Sequence, residues 1–227
     1  MKFIYKGLGV ITGLLLMLAV LITSVEFVAY HMEGYYETEY RKYGVTEAVQ
    51  MEMEDLLFVT EEMMAYLRGD REDLVIHTTI ANTQREFFND KEKKHMVDVQ
   101  ELFMGGQHLR LGAVIIALVL SALLLFLKKG PLLLQGIQRG IYAFFAFMGS
   151  LAGLMALNFN RYFVLFHQIF FDNDDWILNP KTDLLINIVP EGFFRDTAFW
   201  IAGLFFAGAL GIWLLSQFLA KRIKTGE

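Results

Sequence analysis

An all-α polytopic membrane protein, with four transmembrane helices and a small, mainly helical extracellular cap, is the fold class this sequence predicts. Three observations predict it. The chain of 227 residues is 55% hydrophobic and 15% aromatic, richer in apolar side chains than ordinary soluble domains. Four apolar runs reach the roughly 20 residues a helix needs to cross a bilayer. Lys and Arg gather at one set of run ends, and acids at the other, as the positive-inside rule describes. The same composition excludes several function classes. With no Cys there is no disulfide framework, thiolate nucleophile or thiolate metal site. A net charge of -5 argues against nucleic acid, which wants clustered Lys and Arg. No G-x-x-x-x-G-K-[ST] loop offers a phosphate cradle, so neither a nucleotide nor a cofactor is expected.

Residues 1–31 hold the first span, about Leu8 to Val28, preceded by Lys2 and Lys6. Its apolar run exceeds the about 7–15 residues of a signal-peptide core and no A-x-A site follows, so a retained helix is expected. Residues 32–108 form the predicted cap and carry seventeen acids against eight Lys and Arg. Within it, residues 46–68 read as one amphipathic helix with Val49, Leu56, Val59, Met63 and Leu67 on one stripe, ended by Gly69 and Asp70. Asp73 to Ala81 is rich in β-branched residues and reads as extended. A second cap helix starts at Asn89, which has capping-box spacing to Glu92. It carries Met96, Val99, Leu102 and Phe103 on one stripe, and the pair Gly105-Gly106 is its predicted stop.

The second span occupies 109–128, about Leu111 to Leu127, and a short loop of 129–136 leads to the third span at 137–159, about Ile137 to Leu157. Lys128, Lys129 and Arg139 flank that loop. The fourth span lies in 198–220, about Ala198 to Ala220, followed by a tail of 221–227 with Lys221, Arg222, Lys224 and the single acid Glu227. Both termini and the middle loop are therefore expected in the cytoplasm, with the cap and residues 160–197 outside. The cytoplasmic parts are too short for a nucleotide-binding domain, so chemistry belongs in or above the outer leaflet. The pairs Gly9/Gly13, Gly136/Gly140 and Gly149/Gly153 suit close helix packing. None of the spans has an ionisable residue in its central part, which argues against an ion pathway.

Residues 160–197 are the unusual part. Asn158, Asn160 and Arg161 mark the exit from hydrocarbon, yet Phe163 to Phe166, Ile169, Phe170 and Phe171 stay apolar, and FHQIFFDNDDWILNP (Phe166 to Pro180) follows. An interfacial segment with aromatic anchors such as Trp176 accounts for most of it. Asn179-Pro180 makes a turn, and Thr182 or Asp183 is placed to cap a short helix carrying Leu184, Leu185, Ile186 and Ile188. His167 fits that account poorly. Among Phe163, Phe166, Phe170 and Phe171 it is desolvated, which keeps an imidazole neutral and basic. His95, three residues before Asp98 on a helix face, reads alone as a solvated or capping histidine. A carboxylate one turn away also orients an imidazole for base catalysis, and the E-x-x-H-x-x-D string has metal-binding residue types without H-E-x-x-H spacing. His31 and His108 sit at membrane boundaries, where amphipathic residues are ordinary; His77 lies in the extended segment.

The string F-H-x-x-F-F-x-N-x-x-W-x-L-x-P-x-T-D-x-L-I from Phe166 to Ile186 resembles the lipoprotein intramolecular transacylases (Lit) of Gram-positive bacteria. The P-E-x-F-F string at Pro190 to Phe194 and E-x-x-H-x-x-D-V at Glu92 to Val99 carry the same resemblance. It implies a diacylated lipoprotein as substrate, membrane lipid as surroundings, and transfer of the sn-2 acyl chain to the α-amino group of the lipoprotein's N-terminal cysteine. It also implies two catalytic histidines at the cap–membrane boundary, here His95 and His167. On the residues' own chemistry His167 is then the base, and His95, beside Asp98, the acid that more readily carries charge. Asp98, Arg161, Asn173, Phe170 and Trp176 are candidates for orienting a histidine or positioning substrate. Two rivals stay open: an outer-face metal-dependent hydrolase using Glu92, His95, Asp98 and His167, and a non-enzymatic assembly or sensor protein. A serine nucleophile is disfavoured, because Ser24, Ser121, Ser150 and Ser216 all fall in spans and no G-x-S-x-G elbow exists.

Overall fold

The computed structural model describes residues 2–225; of the expected cytoplasmic tail, Glu227 and the Lys224 side chain lie outside the described residues. In chain order the elements are α1 (Lys2–Tyr30), α2 (Tyr35–Tyr43), α3 (Val45–Val49), α4 (Met53–Arg68), β1 (His77–Ile80) and β2 (Thr83–Glu86). Then come α5 (Asp90–Phe126), α6 (Gly130–Leu157), α7 (Phe159–Phe170), α8 (Leu185–Ile188) and α9 (Glu191–Thr225). Four of these, α1, α5, α6 and α9, are long and apolar enough to cross a membrane. Two compact units divide the chain: one comprises Glu26–Gly106 and Phe166–Trp200, and the other holds the remaining described residues.

The spanning unit is built from α1, α5, α6 and α9. Its buried core joins Met17, Leu124, Leu133, Ile137, Ile141, Phe205 and Ala209, one or more from each helix. Polar side chains inside it bond locally: Thr12 Oγ1 donates to the Leu8 carbonyl at 2.9 Å. Between helices, Trp213 Nε1 donates to the Tyr142 hydroxyl at 2.9 Å and Gln138 Nε2 to Ser216 Oγ at 3.2 Å, tying α6 to α9. The α1–α6 pair approaches backbone to backbone. A Cβ on Gly136 would lie 2.5 Å from Gly9 Cα, and one on Gly13 would lie 2.6 Å from the Ile137 carbonyl oxygen. Without hydrophobic drive between helices in lipid, such close approach is what holds them together. The third predicted pair differs: a Cβ added at Gly149 or Gly153 would meet nothing within 4 Å, so these two do not mediate close packing within the chain.

In the cap unit, the predicted single helix over 46–68 is broken. Gln50 adopts left-handed φ 57 and closes α3, and Glu52, extended at φ -70 and ψ 151, begins α4. The apolar stripe survives the break, because Val49, Leu56, Val59, Met63 and Leu67 are all buried. Gly69 ends α4 as predicted, at φ 84, with its N–H returned to the Tyr66 carbonyl. The extended reading of 73–81 holds for β1, which pairs antiparallel with β2 in the register His77↔Glu86 to Ile80↔Thr83. Ala81 and Asn82, at φ 50 and 61, make the two-residue left-handed turn that suits strand twist. An aromatic hub closes the unit: Phe193 stacks on Tyr36 at 5.9 Å and on Tyr40 at 6.2 Å, and the buried Tyr40 hydroxyl pairs with Thr60 Oγ1 at 2.7 Å.

Gly105-Gly106 does not stop the helix that begins at Asp90; α5 runs through to Phe126. Each glycine in a helix interior costs about 1 kcal/mol relative to Ala. Without a proline or a competing cap beside the pair, that penalty is outweighed by good helix formers on both sides.

Candidate active site

The N-terminus of α5 is set by the predicted capping box. Asn89 Oδ1 accepts from the Lys91 and Glu92 N–H groups at 2.9 and 3.0 Å, and Glu92 accepts from the Asn89 N–H at 2.7 Å. Two of the helix's orphan donors and the entering backbone are thereby satisfied. His95 follows one turn later. His167 comes from α7 and is the only buried residue of that helix, while Phe166, Ile169 and Phe170 beside it are 41%, 66% and 53% exposed. A helix that buries its histidine and exposes its phenylalanines suits an apolar surrounding medium.

The two imidazoles meet, with ring centroids 6.1 Å apart and planes tilted by 36°. They are 7% and 8% exposed. Aromatic rings wall them in. Phe171 stands edge-on to His95 at 5.3 Å and 5.4 Å from His167, and Trp176 lies 4.8 Å from His167. His95 Nδ1 is buried and has no hydrogen-bond partner among the described residues. A buried polar atom left unpaired is unfavourable in the resting protein and leaves a lone pair or proton available to a ligand.

Burial pushes the His95 pKa down to about 4, and the nearby His167 pushes the same way; the Asp98 and Asp175 carboxylates pull back more weakly. The sequence-based expectation that His95 more readily carries charge therefore runs against its burial. Asp98 does not make His95 the charge carrier, because desolvation outweighs attraction to a carboxylate. A folded-state value below the ordinary one means the unfolded chain binds the proton more readily. Stability is then expected in full above pH 6.5 and to fall as pH drops from 6.5 towards 4. The loss amounts to about 3 kcal/mol at most. Unfolding measured across that window should show the slope in wild type, and His95→Gln should flatten it.

Of the weaker candidates, Asp98 accepts from Asn173 Nδ2 at 2.8 Å, so those two are joined across 75 residues. Trp176 touches His167, while Phe170 lies against Phe166 at 4.7 Å with half its surface exposed. Arg161 belongs to the spanning unit; its side chain is exposed and its N–H donates to Asn158 Oδ1 at 3.1 Å. His77 is exposed on β1, His31 lies exposed against Phe27 and Tyr30, and His108 is exposed on α5. Phe171 is a site residue that sequence reasoning treats only as background; its adjacency to Phe170 in one apolar string hides the fact that it turns inward. A cavity of about 300 Å³ opens beside the pair, lined by Gln168, Phe171, Asp172, Asn173, Asp174 and Trp176.

Glu92, one of the four residues the metal-hydrolase rival calls on, is engaged in backbone hydrogen bonds. Both Glu92 oxygens are occupied, one by the Asn89 N–H and the other by the Leu185 N–H at 2.6 Å. Among the described residues no three His, Asp or Glu side chains converge as a metal site would need. The short helix α8 also takes its cap from Glu92, where Thr182 or Asp183 is the sequence-based expectation.

Among known proteins, the family model described as lipoprotein intramolecular transacylase Lit matches residues 10–194. A solved structure of the membrane integral lipoprotein intramolecular transacylase Lit from Bacillus cereus has a TM-score of 0.80 at 21% identity, covering 99% of this chain and 100% of that one. Forms of that protein with one histidine changed to arginine or to alanine give 0.79 and 0.78 at 21% and 22% identity. They cover 99% and 98% of this chain and 96% of each of theirs. At such identity the likeness is one of fold, and it makes this chain an all-α multi-pass membrane protein. No curated protein matches.

Proposed function

Because this chain belongs to the lipoprotein intramolecular transacylase Lit family, we propose that it moves the sn-2 acyl chain of a diacylglyceryl lipoprotein onto the α-amino group of the N-terminal cysteine. Membership makes it a membrane-integral lipoprotein transacylase; the specific transfer leaves an N-acyl, S-monoacylglyceryl (lyso) lipoprotein. The observation that carries this reading is the meeting of His95 and His167, 72 positions apart in sequence, as a buried pair 6.1 Å between centroids.

The chemistry asks for little else. Ester to amide is downhill, so the transfer runs without ATP or a metal. Nucleophile and acyl donor sit on one molecule, so a confined aromatic pocket supplies orientation, a term that reaches about 7–11 kcal/mol in well-aligned systems. The amine nitrogen attacks the ester carbonyl, the new C–N bond forms, the C–O bond to glycerol breaks, and one proton passes from nitrogen to the glycerol oxygen. His95 enters neutral, with Nδ1 open. Forming the C–N bond makes the nitrogen cationic and its proton more acidic than that of the free ammonium, so the open Nδ1 is the atom placed to receive it. The proton taken up by His95 crosses to His167, which delivers it to the departing oxygen, so both rings end as they began. This exchanges the roles that sequence alone suggests. Asp98, Asn173 and Trp176 orient the pair, and Arg161 and Phe170 contact lipid or headgroup.

The basic residues Lys2, Lys6, Lys128, Lys129, Arg139, Lys221 and Arg222 support a topology with both termini and the 129–136 loop in the cytoplasm, and the acid-rich cap outside with the histidines. The test is a synthetic diacylated lipopeptide with a free cysteine amine, incubated with the purified protein. Transfer conserves mass, so tandem mass spectrometry must locate the acyl chain. An N-acylated fragment supports the reading; free fatty acid would replace it with a hydrolase, and an unchanged peptide with an assembly protein.

A further inference from the structure

The residue that this fold uses most economically is one the reaction does not need. Glu92 is 1% exposed, and its carboxylate is shared between two helix beginnings. One oxygen accepts from Asn89 N–H at the start of α5, at 2.7 Å. The other accepts from Leu185 N–H at the start of α8, at 2.6 Å. A second link runs the same way: Asn89 Nδ2 donates to Asp183 Oδ1 at 3.0 Å, and Asp183 Oδ2 accepts from Asn179 N–H at 2.7 Å. Lys91 Nζ also donates to the Ile177 carbonyl. The stretch 171–185, which supplies Phe171 and Trp176 to the histidine pair, is thus fastened to the first turn of α5, three residues ahead of His95.

We infer that Glu92, with Asn89 and Asp183, is a positioning clasp that sets the spacing of His95 and His167. A helix cap alone would need only the Asn89 bond. The bond to Leu185, across 93 residues, is what converts a cap into a clasp. Glu92 touches neither substrate nor imidazole in this role; it fixes the helix that carries one histidine to the strap whose aromatic rings hold both. The inference rests on the catalytic reading of the histidine pair given above.

Two substitutions separate clasp from cap. Glu92→Asp keeps a carboxylate in the first turn of α5 but is one methylene too short to reach Asn89 and Leu185 together. Glu92→Gln keeps the length and one acceptor. Full-length protein in lipid nanodiscs would be assayed for kcat and KM on the diacylated lipopeptide. Separately, diethyl pyrocarbonate modification of His95 and His167 would be followed by peptide mass spectrometry on resting protein. Glu92→Asp is expected to lower kcat roughly ten- to hundredfold, leave KM within about twofold, and speed modification of both histidines. Glu92→Gln should do the same to a smaller degree. Unchanged kcat and unchanged modification rates in folded Glu92→Asp would overturn the inference and leave Glu92 a cap. Should Glu92→Asp fail to fold, Asp183→Asn, which removes one of the two acceptors in the second link, is judged by the same two readouts. If His95→Ala and His167→Ala both keep full turnover, the catalytic reading fails, while the modification rates still decide whether the clasp exists.

Discussion

Alanine in place of either His95 or His167 is expected to lower transacylation by at least about 10²–10⁴-fold while the protein remains folded. The loss should fall on kcat, because the aromatic rings around the pair stay in place. His95→Ala removes a buried group whose Nδ1 is unpaired and whose protonation the fold resists. Stability should therefore hold at neutral pH and improve relative to wild type below pH 6.5, the opposite of what damage to a core gives. Tandem mass spectrometry of the lipopeptide product reads the first effect, and thermal unfolding at about pH 7 and about pH 5 the second. Turnover near wild type in both variants would remove the dyad from the mechanism.

The second large effect lies in the spanning unit. Gly136→Leu must drive a side chain into the α1 backbone, where even a Cβ would sit 2.5 Å from Gly9 Cα and 2.7 Å from the Val10 nitrogen. Backbone cannot move aside as a flexible side-chain end can, so the two helices must separate. The expected penalty is about 3 kcal/mol, the upper end for overpacked sites. Gly153→Ala provides the contrast, since that position has open space and the change improves helix propensity. Unfolding curves in detergent should shift strongly for the first variant and little for the second.

Much of this architecture is legible in the sequence because lipid imposes a coarse rule. A run of about 20 apolar residues reads as a span whatever its neighbours do, and all four runs are helices. The Asn89–Glu92 cap is legible too, being a contact over three residues. What escapes is whatever depends on distant chain. Gln50 breaks α3 from α4 without disturbing the apolar stripe, so periodicity does not reveal it. Gly105 and Gly106 look like a stop because local propensity says so, and the long helix overrides it. The capture of Leu185 by Glu92 joins segments 93 residues apart, and no spacing rule reaches that far. The charge state of His95 is misleading in sequence for a related reason. Asp98 is visible at three residues' remove, whereas the burial that outweighs it comes from Phe171 and the rest of a fold that sequence does not show.

The hairpin between β1 and β2 has a practical consequence. Its tip, Ala81 and Asn82, is exposed and tightly turned. Exposed loop tips tolerate inserted residues, and an insertion after Asn82 spares the bond from the Ala81 N–H to the Gln50 carbonyl. A short epitope or fluorophore acceptor placed there gives a handle on the acid-rich unit that leaves the histidine pair and its clasp untouched. In intact cells, whether an antibody reaches that handle reports which side of the membrane the unit occupies.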